Sequence, residues 1–198
     1  GESGLRKDFE KAKYFYELCS KQGNTFGLQR LGQCYNLGYN VDQDYSKAFD
    51  YYKKSADNGN SYAMNCLGVC YESGEGVEID YSKALEFYRK SADLGNSNAI
   101  FNLGFCYENG LGVEQNYKKA VELYEKAAKL GNSNALYNLG LCYETGKEVE
   151  ENISKAIELY MKSAELGNSY ALYNLGVHYM KGIGVEQDNN KMIEYYEK

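Results

Sequence analysis

The stretch GNSNALYNLGLCYETG, residues 131–146, decides how the chain is read. Taken alone it suggests a site, with a cysteine beside a tyrosine and glycines of the kind that cradle phosphate. It recurs, however, as GNSNAIFNLGFCYENG from Gly95, GNSYAMNCLGVCYESG from Gly59 and GNSYALYNLGVHYMKG from Gly167, and more weakly as GNTFGLQRLGQCYNLG from Gly23. Successive copies lie 36 residues apart. A fixed period of roughly 20–50 residues marks a repeat array and outranks any local motif. The 198-residue chain thus holds about 5.5 repeats, and the motif is mostly architecture.

Residues 60–95 show how one repeat folds. A first helix, A, is expected from Ser61 to Ser73, capped by Asn60 or Ser61. A second, B, is expected from Asp80 to Leu94. The position that caps helix B reads Asp8, Asp44, Asp80, Asn116, Asn152 and Asp188 down the chain, all residues whose side chains accept from free first-turn amides. Capping also accounts for Asn152 in the sequon Asn152-Ile153-Ser154. Gly59, Gly95, Gly131 and Gly167 follow helix B, where a left-handed residue is wanted.

Gly32, Gly68, Gly104, Gly140 and Gly176 fall inside helix A, each at a cost of about 1 kcal/mol against alanine. Such a loss makes sense where a neighbouring helix comes too close for a Cβ. Ala63, Ala99, Ala135 and Ala171 would serve the same approach on helix A, and Ala48, Ala84, Ala120 and Ala156 on helix B. Leu67, Tyr71 and Tyr88, with their equivalents, fill the space between helices, so most of the 22 tyrosines are packing residues.

Composition narrows the function classes. A net charge of −6 and a pI near 5.0 oppose a nucleic-acid partner, which calls for a basic face. No apolar run approaches the ~18 residues of a membrane span. Cys34, Cys70, Cys106 and Cys142 share one repeat position, taken by His178 in the fifth copy. Equivalent helices stack roughly 10 Å apart, and a disulfide needs Cα atoms within about 7 Å, so these four cannot form a ladder. Cys66 and Cys70 could ligate together at i, i+4, but no second pair completes a zinc site. The cysteines read as small buried hydrophobes of a reducing, cytoplasmic compartment.

The units A-x-x-x-LG-x-x-Y-x-x-G-x-GV and KA-x-x-x-Y-x-K-(S/A)-A-(D/E/K)-x-G resemble the Sel-1-like repeat, a relative of the tetratricopeptide repeat. The resemblance covers nearly the whole chain. It implies an all-α fold: an α/α solenoid of about 11 helices, a right-handed superhelix with the A helices lining its concave face. It also implies a scaffold or adaptor that assembles other proteins. Cysteine-rich secreted members carry a disulfide in each repeat, but the matching positions here include Ala56, Ala63, Ala92 and Ala99. Met192 and Gly27 replace the helix B and helix A alanines at the two ends.

Core positions repeat, and recognition positions should vary. By analogy with tetratricopeptide arrays, the variable concave positions are Tyr62, Asn65, Phe101, Asn102, Phe105, Asn134, Tyr137, Asn138, Leu141, Tyr170, Tyr173, Asn174 and Val177. The C-terminal half alternates aromatic rings with an asparagine ladder, which suits an extended or helical peptide. The competing reading is that these asparagines bond only to neighbouring helices and water. Glu72, Glu108 and Glu144 would form an acidic edge favouring a partner with basic residues. A carboxylate clamp is disfavoured, since Lys and Arg are nearly absent from this wall apart from Arg30 and Lys181.

Catalysis finds little support: His178 sits in a packing row, no Ser-His-Asp or HExxH arrangement occurs, and Glu150 and Glu151 lie in a polar loop. Nothing calls for a cofactor or metal. The expected partner is a protein or peptide on the helix-A wall; the alternative is a structural module forming homo-oligomers through the solenoid ends, using Tyr195 and Tyr196. GLRKDFEKA aligns with GVEIDYSKA at 76–84, so the chain is expected to open in an inter-helix loop and to be one array, residues 1–198, excised from a longer protein. Gly1 to Ser3 are read as a tag remnant. NKMIEYYEK aligns with 82–90, so it should end within a helix.

Overall fold

The computed structural model describes the backbone of residues 2–198 and the side chains from Lys11 onward. Eleven helices and no strand are found among the described residues. They are α1 (Glu2–Lys21), α2 (Thr25–Leu37), α3 (Tyr45–Asp57), α4 (Ser61–Ser73), α5 (Tyr81–Asp93), α6 (Ser97–Asn109), α7 (Tyr117–Lys129), α8 (Ser133–Thr145), α9 (Ile153–Glu165), α10 (Ser169–Lys181) and α11 (Asn189–Glu197). Even-numbered helices are A helices and odd-numbered ones B helices. The chain packs as two units, residues 1–99 and 100–198.

The caps define each repeat. Asn60 Oδ1 accepts the Ala63 N–H at 3.0 Å to start α4, and Gly74, at φ 77°, ends it by donating its N–H to the Cys70 carbonyl at 2.8 Å. Asp80 Oδ1 accepts from Lys83 N at 3.0 Å to start α5. Its own N–H reaches back to the Tyr71 carbonyl at 2.8 Å, which ties helix B to the end of helix A. Asp44, Asn116, Asn152 and Asp188 repeat the same cap, each worth about 1 kcal/mol.

Packing within a repeat centres on one tyrosine. A Cβ added to Gly104 would lie 2.7 Å from the Tyr124 ring, and one on Gly140 would lie 2.5 Å from the Tyr160 ring. Tyr52 and Tyr88 cover Gly32 and Gly68 in the same way. The helix-A glycine therefore makes room for a buried ring of its own repeat as well as for a nearby backbone. The two alanine rows are fully or almost fully buried, as expected. Ser55, Ser91 and Ser163, wholly buried on helix B, donate to the first-residue carbonyls of the preceding A helices (Thr25, Ser61 and Ser133) at 2.7 Å.

The N-terminal expectation needs correction. α1 starts at Glu2, not at Asp8, so residues 2–7 are helical rather than an inter-helix loop. Elsewhere the loop path is fixed by the preceding A helix, through bonds such as Asp80 N–H to Tyr71. With no A helix ahead of Asp8 among the described residues, these helix-forming residues continue the helix. Gly1, and with it part of the expected tag remnant, lies outside the described residues. Gly27 has a physical cause: a Cβ there would sit 2.7 Å from Cys19 Cβ and 3.0 Å from the Tyr16 carbonyl.

Candidate functional site

In the first unit, Tyr62 and Asn65 on α4 line a groove of about 440 Å³ with Phe26, Gln29, Arg30 and Gln33 of α2. Tyr62 is 63% exposed and Phe26 53%, whereas Gln29 is buried. Arg30 Cζ lies over the Phe26 ring, 4.9 Å from its centroid, and its Nη1 donates to Gln33 Oε1 at 2.8 Å. In the second unit, Tyr170 and Tyr173 on α10 are 68% and 61% exposed, and Phe105 on α6 is 39% exposed. Tyr137 lies 5.7 Å from Tyr170 and 5.8 Å from the buried Tyr160. Asn134 accepts from Asn168 Nδ2 at 2.8 Å, and Leu141 packs on the core of α9 and α10. Asn102 and Val177 are half-buried.

The rings form regular pairs across each repeat: Phe101 with Tyr124 at 5.6 Å, Tyr137 with Tyr160 at 5.8 Å, and Tyr173 with Tyr196 at 5.9 Å. The helix-A partner is the outer member of each of the first two pairs. Phe101 and Tyr137 thus anchor as much as they present, while Tyr62, Tyr170 and Tyr173 mainly present.

The asparagines and glutamates are mostly turned inward. Tyr124 donates to Glu108 Oε2 at 2.6 Å and hydrogen-bonds the Asn138 amide of the next A helix. Tyr160 donates to Glu144 Oε2 at 2.5 Å and meets the Asn174 amide, which also reaches the Tyr137 hydroxyl. Burial first, then the facing carboxylate, holds both phenols far above their usual range. Glu72 accepts from Tyr88 in the same manner at 2.6 Å. Glu108 is met by Lys147 at 3.1 Å, and Glu144 by the buried His178 at 3.4 Å. The expected acidic edge is thereby corrected: these carboxylates are held by tyrosine hydroxyls, with Lys147 beside Glu108 and the His178 ring beside Glu144, and the asparagines link one repeat to the next.

All six cysteines are free thiols. Burial pushes Cys70 up to about 12 and Cys142 to about 11. Cys66 occupies the asparagine position of the second repeat and bonds Gln29 and Tyr52; burial raises it to about 11. Among the described residues no cluster of His, Cys, Asp or Glu could hold a metal ion, and no helix is long and apolar enough to cross a membrane.

Comparison with known proteins follows the same periodicity. The Sel1 repeat family model matches residues 1–24, 26–60, 61–96, 97–132, 133–168 and 169–198. The chain belongs to the Sel1 repeat family. A Sel1 repeat protein of Oxalobacter formigenes superposes with a TM-score of 0.81 at 29% identity, covering 96% of this chain and 82% of that one. A protective antigen of uropathogenic Escherichia coli strains, with the same fold, gives 0.75 at 32% identity over 99% of this chain and 46% of the antigen. An immunity protein of Pseudomonas aeruginosa gives 0.72 at 25% identity, over 93% of this chain and 71% of that one. No curated protein matches the chain in sequence.

Sel1 repeat proteins are in general protein–protein interaction scaffolds and are generally not catalysts, and this chain is an α-solenoid repeat protein. The four family segments from residue 26 to 168 each hold one A helix and the B helix that follows, so the family unit and the structural repeat coincide. Sequence reasoning counts Gln29, Arg30 and Gln33 among the variable concave positions but places the recognition surface mainly in the C-terminal half, and it does not single out Phe26 or the groove these residues line in the first unit. The signal is present in TFGLQRLGQC, where glutamines and an arginine take positions that are aromatic, aliphatic or asparagine in later copies.

Proposed function

We propose that this Sel1 array binds a partner peptide or protein domain on its helix-A surfaces, through Tyr62 and Asn65 in the first unit and Phe101, Asn102, Phe105, Asn134, Tyr137, Asn138, Leu141, Tyr170, Tyr173, Asn174 and Val177 in the second. The observation that carries this reading is the exposure of large rings at helix-A positions, Tyr62, Phe105, Tyr170 and Tyr173, on repeats whose cores are otherwise constant. Folding does not require these rings in water, and exposed aromatics supply much contact area at little entropic cost. Tyr137, Asn138 and Asn174 act mainly as the frame that positions them. The test is capture from native lysate by the parent chain and by a Tyr62→Ser, Tyr170→Ser, Tyr173→Ser variant of unchanged stability. Loss of a captured protein supports the reading; identical capture moves recognition to another face.

A second reading is association through the last helix, where Ile193 and Tyr196 are 48% and 45% exposed. Light scattering at high concentration separates the two, since a chain that stays monomeric has no such interface. Ile193→Lys is the suitable variant there, because Tyr195 is stacked on Tyr179 at 5.6 Å and belongs to the fold.

A further inference from the structure

The first unit holds two neighbouring cavities, of about 440 and 210 Å³. Arg30 and Gln33 line both, so they form a shared wall rather than the end of either. Among the described residues, Arg30 is the one charged side chain lining either cavity. Among the described residues, the other charges that act on Cys34 are Glu17 and Lys13, which pair with each other at 3.7 Å and leave Arg30 as the one not paired with a carboxylate there. This stands out in a chain of net charge −6.

The guanidinium is pre-set for a ligand. Its face is fixed on Phe26 and its Nη1 on Gln33, while Nε is buried with no hydrogen-bond partner. An unpaired buried N–H costs free energy that an incoming acceptor would recover. A carboxylate fits an arginine fork in two parallel bonds, and such charge-assisted pairs are stronger than neutral ones. Because Arg30 has cavity space on two sides, a ligand chain can leave it in either direction, and the carboxylate is assigned to a side chain within a segment rather than to a chain end.

We propose that this trough, on the same helix-A wall and resting on the scaffold reading above, takes an extended peptide segment with an internal aspartate or glutamate held by Arg30. Phe26 and Tyr62 flank the segment on the 440 Å³ side and Tyr16 lines the other cavity. The partner is thus acidic at this point, the reverse of the basic partner that Glu72, Glu108 and Glu144 suggest in the sequence.

The test is selection of short random peptides displayed on phage, panned against the whole chain alone, with every selected peptide compared afterwards on the parent and on Arg30→Met, which keeps an aliphatic chain against Phe26. Selected peptides are then synthesised with amidated C-termini and measured by fluorescence anisotropy. The expected result is an enriched internal acid whose change to the amide weakens binding at least about tenfold. Arg30→Met should cost as much, and the two changes together little more. Arg30→Lys, which keeps charge but not the fork, should recover only part of the loss. Equal affinity for Arg30→Met, or binding abolished by amidation alone, overturns the proposal. Peptides indifferent to Arg30 but lost on Tyr170→Ser, Tyr173→Ser leave the scaffold reading intact and sink this one. A chain that selects no peptide overturns both.

Discussion

Replacing Gly68 by alanine should destabilise the protein although alanine is the better helix former. A Cβ at Gly68 would lie 2.5 Å from Tyr88 Cδ1 and 3.0 Å from Cζ, well inside van der Waals contact. The ring has no room to retreat: Tyr88 is fully buried and its hydroxyl is held by Glu72 at 2.6 Å. Alanine gains about 1 kcal/mol of helix propensity. Overpacking costs about 1–3 kcal/mol, and swinging the ring from its carboxylate costs up to about 1.5–3 kcal/mol more. The net expectation is a loss of up to about 5 kcal/mol, with about 2 kcal/mol in the middle of that range, or roughly 4–8 °C of melting temperature at that midpoint for a chain of this size. Calorimetry and urea titration followed by circular dichroism both report it. In a Tyr88→Ala background the ring clash is gone, and the same substitution should cost less than in the parent chain. If Gly68→Ala raises the midpoint of the parent chain, the glycine does not serve ring packing and the account of the repeat core is wrong.

Tyr160→Phe should cost about 1–3 kcal/mol, because it strips a donor from Glu144 and a partner from Asn174, partly offset by water at the half-exposed carboxylate; Tyr52→Phe, where position 36 is an asparagine bonded to Glu75, should cost less. Equal losses in thermal unfolding would show that the carboxylate is not the source. Asp44 and Asp80 are held below the usual carboxylate range, first by the backbone N–H groups of Lys47 and Lys83, so their stabilisation is present above about pH 4 and fades as pH falls through the depressed value. An Asp44→Asn, Asp80→Asn chain should therefore lose less stability on acidification than the parent, as the asparagine caps of α7 and α9 allow; an unchanged acid limb would refute this. Tyr170→Ser with Tyr173→Ser should leave the melting temperature within about 2 °C, since surface changes fall within roughly 0.5 kcal/mol; a larger drop would make these rings structural.

Period alone makes the fold legible. Once the copies of GNSNALYNLGLCYETG are in register, the caps, the left-handed glycines and the buried alanines follow from local chemistry, and the bounds of α4 and α5 agree with that reading. The start of α1 escapes it, because alignment to residues 76–84 assumes the preceding A helix that shapes the loop. The wall is harder. Periodicity tells which residues share a face, but not whether Asn138 bonds to water or to Tyr124, because that bond joins positions in different repeats. Of the two roles open to the asparagine ladder, bonding between neighbouring helices is the one that accounts for Asn138 and Asn174.

That relay also changes what the wall can recognise. A row of glutamates on a helix face reads as negative potential when each is solvated. Here Glu108 faces a tyrosine hydroxyl and Lys147, so its field is largely answered within the array, and Glu144 is tied by a tyrosine hydroxyl and sits beside the His178 ring. Charge that is answered internally contributes little to steering a ligand, whereas a single arginine whose Nε is left without a partner has a charge still to be answered. The relay is broken in the first repeat, where Asn36 replaces the glutamate and Cys66 takes the place of the next asparagine. The α2–α4 trough and Arg30 occur at this break. Departure from the repeat therefore locates specificity better than the repeat itself does: the copies that keep the relay build the frame, and the copy that loses it exposes a charge for a partner to read.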